Sequence, residues 1–275
     1  MAPKKSRAKQ LPKAPLVEVV FELRWALQGA PLPPVMQSDP GLLPLLDSFS
    51  AGVKKQKFSS FKDVAHPMQT GGHGIVRRFY KRDDLPFPVL QIGPGIFASN
   101  EGPNYSWPDF KKQTLSAMTI AIASYPKLKF FAFAPISLEL KYTDVFTKSI
   151  LGNAALFHFT QNATSLRFAL PEMLNNPEIF SGDAEGRFIF RRSLKGLKNN
   201  IFDVDVASAK KNDTRDDVVQ MTSRVFCDGA GVPKFTSAKK FVSDVGDWLE
   251  FAHGITSPFF RQFILPDIMT KFAEA

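Results

Sequence analysis

Between Leu16 and Trp25 (LVEVVFELRW), Val17, Val19, Phe21, Leu23 and Trp25 fall on one side of the chain and Glu18, Glu22 and Arg24 on the other. This period-2 alternation predicts a half-buried strand. The same alternation returns at Ile136–Tyr142, where Ile136, Leu138, Leu140 and Tyr142 point inward and Ser137, Glu139 and Lys141 outward. Between the two lies a helical repeat: Trp107, Phe110, Thr114, Met118, Ile122 and Tyr125 recur at the spacing of one helix face. Ser106 is the expected N-cap, Asp109 stands in the place of a capping-box acid, Pro108 suits the first turn, and Pro126 stops the helix.

The remaining pattern is coarser. Ala30–Leu46 is dense in proline and reads as an irregular connector ending in a short apolar turn or helix. Gly74–Arg82 and Pro88–Ser99 are strand candidates joined as a hairpin, with Asp83, Asp84 and Pro86 between them. In the second half the strand candidates are Ser165–Leu170, Gly186–Ser193, Asn200–Ala207 and Val218–Phe226. A helix follows from Ser237, with Phe241, Val245, Trp248 and Ala252 on one face. Gly254 is expected to end it, and Ser257 with Pro258 to start another short one. The fold class is therefore α+β: two similar halves, each a mainly antiparallel sheet packed on a long helix. The expected divisions are a disordered basic tail at 1–13, one half at 14–148 and the other at 149–275. A sheet wrapped on a long helix can also enclose an apolar cavity.

Composition narrows the class. Of 275 residues 44% are hydrophobic, enough for an ordinary core, and the 27 phenylalanines are expected mostly inside. No stretch is long and apolar enough to span a bilayer, and the basic opening lacks the apolar centre of a secretory signal, so no membrane partner and a cytoplasmic location are expected. The net charge is +9, but Lys4, Lys5, Arg7, Lys9 and Lys13 account for five, which leaves about +4 for the rest of the chain.

Motif chemistry is sparse. The single cysteine, Cys227, forms neither an internal disulfide nor a cysteine zinc cage and reads as a buried thiol. The four histidines, His66, His73, His158 and His253, show no metal-motif spacing. Gly71, Gly72 and Gly74 run into a strand and Gly93 and Gly95 interrupt one, so both groups read as turns and not as phosphate cradles. No Gly-x-Ser-x-Gly elbow occurs. Asp203 and Asp205 share a strand face and could hold a divalent cation, although alternation with Phe202, Val204 and Val206 places them on its solvent side. No catalytic residue, metal ligand or cofactor is assigned.

Two basic and aromatic stretches suit single-stranded nucleic acid: Arg77, Arg78 and Lys81 (with Arg82) around Phe79 and Tyr80, and Arg187, Arg191 and Arg192 (with Lys195) around Phe188 and Phe190. The competing reading makes Ile75, Phe79 and Ile189 core and the arginines merely external. His253, beside Gly254, is expected to face free helix carbonyls.

PLVEVVFELRW, VLQIGPGIFASNEG leading into YSWPDF, and FAHGITSPFF together resemble a sporadically distributed bacterial family of proteins of about this length, in the same order and over nearly the full chain. In that family the strand after the first helix often ends in an arginine, tyrosine and asparagine cluster; here it reads Lys141, Tyr142, Thr143, Asp144. Tyr142, Asp144 and His253 are therefore positions to follow. The resemblance implies a cytoplasmic protein of mobile genes, such as those for toxin control or defence, and brings no catalytic residue. A non-enzymatic protein with a protein partner is the leading expectation, a nucleic-acid binder the alternative, and an enzyme with a site assembled from distant residues the third.

Overall fold

The computed structural model describes residues 14–29, 37–65, 75–83, 85–152, 155–166, 186–196, 198–211, 214 and 216–273. Within them the chain forms nine strands and six α-helices. The strands are β1 (Leu16–Trp25), β2 (Ser60–Ala65), β3 (Ile75–Lys81), β4 (Val89–Gly93), β5 (Ile96–Glu101), β6 (Pro135–Thr147), β7 (Arg187–Ser193), β8 (Asn200–Lys210) and β9 (Asp217–Asp228). They make one sheet in the order β2-β3-β4-β5-β1-β6-β9-β8-β7, with every pairing antiparallel. The helices are α1 (Leu42–Lys54), α2 (Trp107–Ser124), α3 (Lys148–Leu151), α4 (Leu156–Ala163), α5 (Ala238–Phe263) and α6 (Pro266–Ala273). Among the described residues, no helix is long and apolar enough to cross a membrane.

The α+β class is present, and one sheet runs through the expected division at residue 148, because β6 pairs with β1 on one side and β9 on the other. β1 has the expected bounds, although a bulge between Leu16 and Glu18 leaves Val17 exposed. Pro88–Ser99 is two strands and not one, turning at Pro94–Gly95. The strand candidate Ser165–Leu170 lies largely outside the described residues, as do Gly71, Gly72, Gly74, His66, His73 and the basic opening.

Three helix expectations need correction. The short apolar turn or helix expected at the end of Ala30–Leu46 is the start of a longer helix, α1, whose Leu42, Leu45, Leu46, Phe49 and Val53 form a buried stripe. Pro44 is tolerated because it sits in the first turn, where amide hydrogens have no partner within the helix. Ser106 precedes α2 but makes no side-chain cap bond. Gly254 does not end α5, which runs 26 residues with Pro258 inside it. Pro258 cannot donate to the carbonyl four residues back, which belongs to Gly254, and a glycine there gives the backbone room to adjust. The buried stripe Trp248, Leu249, Ala252, Thr256 and Phe263 continues past both residues and holds the helix on the sheet.

All six helices bury against one face of the sheet, in two apolar clusters. The first joins Val19, Phe21, Leu23 and Trp25 of β1, and Leu138 and Leu140 of β6, to α1, α2 and the first half of α5. The second joins Phe146 of β6, Val204, Val206, Val219 and Met221 to α3, α4, the end of α5 and α6. β6 and α5 thus belong to both clusters. The opposite face of the sheet carries no helix among the described residues.

A buried carboxylate locks the first cluster. Asp39, 3% exposed, accepts from Trp25 Nε1 (2.9 Å), Tyr125 Oη (2.7 Å) and the backbone amides of Gly41 (3.0 Å) and Gly95 (3.0 Å). It therefore ties β1, the entry to α1, the end of α2 and the β4–β5 turn together. Gly95 has φ +66°, and a Cβ there would stand 2.9 Å from the Trp25 carbonyl, so the turn requires glycine. Hydrogen bonds to a charged group contribute about 1.5 to 3 kcal/mol each, and their donors would be stranded without it. Asp39→Ala is therefore expected to lower the unfolding free energy in urea by about 3 kcal/mol or more, with Asn less harmful than Ala; a loss below about 1 kcal/mol would remove this role from Asp39.

Candidate functional site

The chemistry-bearing side chains gather where the two apolar clusters meet. On the helix side of β6 the alternation runs Leu140, Tyr142, Asp144, Phe146, so two polar residues separate the first cluster from the second. Across the ladder on β9, Ser223 pairs with Tyr142 and Met221 with Asp144. Above them passes α5, which presents His253 and Thr256 between Ala252 of the first cluster and Phe263 of the second. Tyr142, Asp144, Ser223, Thr256 and His253 thus form a polar belt between sheet and helix.

His253 is fixed from two sides. Its ring stacks on Trp107 at the start of α2 (centroids 4.0 Å, 10° between planes), and its Nδ1 lies 2.8 Å from Tyr142 Oη. Tyr142 Oη in turn lies 3.2 Å from Tyr105 Oη. A single direction of donation, Tyr105 to Tyr142 to the imidazole, satisfies this chain with a neutral ring. Burial holds the imidazole near pKa 4, so neutrality is its ordinary state, and burial with the neighbouring Tyr105 drives the Tyr142 phenol well above its usual range. At the outer rim Glu250, one turn before His253, accepts from Lys111 Nζ (2.7 Å) and Trp107 Nε1 (3.3 Å). Lys111 accordingly holds the Glu250 carboxyl below its usual range.

The expectation that His253 faces free helix carbonyls is thus overturned, because the helix continues beyond it. Nor does His253 make a hydrogen bond to a carboxylate among the described residues. Its polar partner is a phenol, and Glu250 is engaged by Lys111 and Trp107. A neutral imidazole bonded to a tyrosine kept protonated positions and orients; it does not present an activated nucleophile.

Asp144 is the anomalous member. It is 4% exposed, and its carboxyl has neither a hydrogen bond nor an ion pair among the described residues. Burial alone raises its pKa from 3.8 to about 8. A buried polar group without a partner is uncommon in folded proteins.

The nucleic-acid candidates are not brought together. β3 and β7 stand seven strand spacings apart, about 34 Å. Arg78 lies on the helix side and is bidentate to Asp63 (2.6 and 2.9 Å), while Arg77 and Lys81 point to the other face. On β7, Arg187 pairs with Asp205 and Arg191 with Asp203 (3.1 Å), and Arg192 is exposed. Asp203 does not face solvent: Arg191 and Arg224 enclose it at 4% exposure. Neither it nor Asp205 belongs to a metal-holding group among the described residues. The proposed core assignment also changes, since Tyr80 is buried (1%) whereas Ile189 is 56% exposed. Cys227 is buried at the end of the first cluster, and burial pushes its thiol up to about 12.

No protein-family model, no curated protein and no solved structure matches the chain.

The belt has a pH signature. Below about pH 4 Asp144 is protonated in both the folded and the unfolded chain. Between about 4 and 8 the unfolded chain releases that proton and the folded one retains it, so stability falls as pH rises and the loss is complete above about 8. His253 acts in the opposite sense, lowering stability as pH falls from 6.5 towards 4, and does so equally with or without Asp144. Asp144→Asn should therefore gain stability over the parent in urea denaturation, with a larger gain at pH 8 than at pH 5. Equal effects at both pH values would show that the carboxyl is not held protonated.

Proposed function

We propose that this chain is a non-enzymatic binding protein that presents the helix-free face of its sheet to a protein partner, in a bacterial toxin-control or defence setting. The observation that carries this reading is the charge pattern of that face. Glu22 pairs with Arg24 (2.6 Å), Glu139 with Arg224 (3.3 Å), Asp203 with Arg191 and Arg224, and Asp205 with Arg187. Cations matched to acids suit a mixed-charge protein surface better than a polyanion, which needs uncompensated charge. Burial raises the Glu139 carboxyl above its usual range even beside Arg224, consistent with a closely packed network and not with loose surface pairs.

The same face offers apolar contact from Phe79, Ile189, Ile201 and Phe226, with the Arg224 guanidinium 5.0 Å from the Phe226 ring centre. Phenylalanine and arginine are among the residues enriched in protein interfaces. Nine strands extend about 38 Å across the ladder, room for a standard interface of about 800 Å² per partner.

The connectivity supports reading the chain as two similar halves. β1 leads through α1 to the meander β2 to β5, whose last strand returns beside β1, and α2 follows. β6 leads through α3 and α4 to the meander β7 to β9, whose last strand returns beside β6, and α5 follows. On this reading β1 and β6 are equivalent and the middle of the helix-free face is the midline of the duplication. The family resemblance supports the toxin-control or defence setting.

The alternative is a single-stranded nucleic-acid partner, favoured by Arg77, Lys81 and Arg192, which have no ion pair among the described residues. Affinity purification of the tagged chain with nuclease treatment separates the two. A partner protein is expected to survive nuclease, to be lost with Ile189→Asp or Phe226→Asp on the helix-free face, and to remain with Phe251→Asp on the exposed side of α5. Recovery of nucleic acid released by salt would replace this reading with the alternative. Loss with all three variants, or no partner at all, would contradict it.

A further inference from the structure

Phe130 is the most exposed large apolar side chain among the described residues, at 87%. It lies in the connection from α2 to β6, residues 126–134 (PKLKFFAFA), and that connection is anchored. The Phe133 ring centre stands 5.3 Å from Trp25 and 5.4 Å from Tyr125, Phe131 packs against the first apolar cluster, and the Ala26 amide donates to the Ala134 carbonyl (2.9 Å). The loop is thus tied down by its second and third phenylalanines, and the first is left in solvent. Phe133 also meets Phe235 (5.2 Å), which joins this loop to the connection between β9 and α5. Phe235 packs edge-on against Phe133 and Phe241 and is still 38% exposed.

The charge around these rings is of one sign. Residues 126–134 and 229–240 hold Lys127, Lys129, Lys234, Lys239 and Lys240 and no acid, between the flanking Asp228 and Asp244. Lys240 pairs with Asp244; the other four lysines are exposed and have no ion pair among the described residues. Exposed apolar residues elsewhere have compensated neighbours: Phe61 lies under Arg78, which is bound to Asp63, and Ile189 lies beside Arg187, which is bound to Asp205. Uncompensated cations call for a polyanionic surface, and an exposed ring without a polar atom calls for an apolar one. Lys129 Nζ stands 5.2 Å from the Phe130 ring centre, so the ring face that a nucleobase would stack on is covered. An anionic bilayer makes no such demand, because the ring enters the acyl boundary while the lysine stems reach back to the headgroups.

We propose that this tip, formed by the α2–β6 and β9–α5 connections, docks on the surface of an anionic phospholipid bilayer. Phe130, with Phe235 beside it, enters the boundary between headgroups and acyl chains, and Lys127, Lys129, Lys234 and Lys239 bind the anionic headgroups. The contact lies on the membrane and does not span it. The expectation of no membrane partner rested on spanning segments and export signals, and this contact uses neither. It is also independent of the proposed partner face.

Co-sedimentation of the full chain with vesicles tests the proposal, using phosphatidylcholine alone and phosphatidylcholine with about one-third phosphatidylglycerol. Binding is expected to the anionic vesicles, to weaken with added salt, and to be far weaker to the uncharged ones. Phe130→Ser should cost about tenfold in affinity, and Lys127→Gln with Lys129→Gln about tenfold or more. All three side chains are exposed, so the variants are expected to keep the parent's circular dichroism and melting temperature. Phe251→Ser and Phe226→Asp should bind vesicles as the parent does, and the latter variant separates this contact from the partner face. No binding to the anionic vesicles, equal binding to both kinds, or binding unchanged by Phe130→Ser would overturn the proposal. Oligothymidylate binding lost with the same variants, in a chain that ignores vesicles, would assign the tip to nucleic acid instead.

Discussion

The antiparallel pairing of β1 with β6 is the constraint on which the remaining structure hangs. Each strand is the innermost of its own group, and β1 meets β5 on its other edge as β6 meets β9. Joining them merges five strands and four into one sheet and leaves the two edges, β2 and β7, at its far ends. The cross-strand register puts Phe21 opposite Leu140 and Leu23 opposite Leu138 on the helix side, and Glu22 opposite Glu139 on the other. Two like charges facing each other would oppose the pairing, and each instead has a guanidinium at hand, Arg24 for Glu22 and Arg224 for Glu139. Hydrophobic burial on one face and ion pairing on the other therefore fix the same register.

The helices that cover this nine-stranded sheet do not share one continuous core. Two clusters result, and the longest strand and the longest helix, β6 and α5, bridge them. The junction is where packing is least able to exclude polar groups, and the polar belt occupies it. Asp39 fixes the first cluster from within by satisfying every group it touches, whereas Asp144 at the junction satisfies none. Two buried aspartates thus have opposite characters: one stabilises the fold, and the other is maintained at a cost to it.

The strands were largely legible because alternation is a local signal and the face it buries is the face the fold uses. β1 could be read to its last residue. α1 was legible only at its start, as a short apolar turn or helix, since prolines at and before its first turn drew attention away from a stripe that continues through Phe49 to Val53. Gly254 and Pro258 misled for the same reason: punctuation within one helix lost to burial along its entire length. Tyr142, Asp144 and His253 each drew notice singly, yet no spacing rule joins residues that are 111 positions apart, as Tyr142 and His253 are. A signal for Ser223 was present. It interrupts Val219, Met221, Val225 and Cys227 on the core side of β9, as Asp144 interrupts Leu140 and Phe146 on β6. A small polar residue at a core position on each of two strands pointed to their meeting, but only the pairing of β6 with β9 puts them side by side.

The central claim is that Asp144 is a buried, unpaired carboxyl lying where the two clusters join. Carbon-13 NMR of the side-chain carboxyls, with the Asp144 signal assigned by its absence in Asp144→Asn, measures this directly. The expected result is a titration midpoint raised by burial to about 8. A midpoint near 4, the value of a solvated aspartate, would mean that the carboxyl is hydrated or paired and that the junction is not the closed polar belt described.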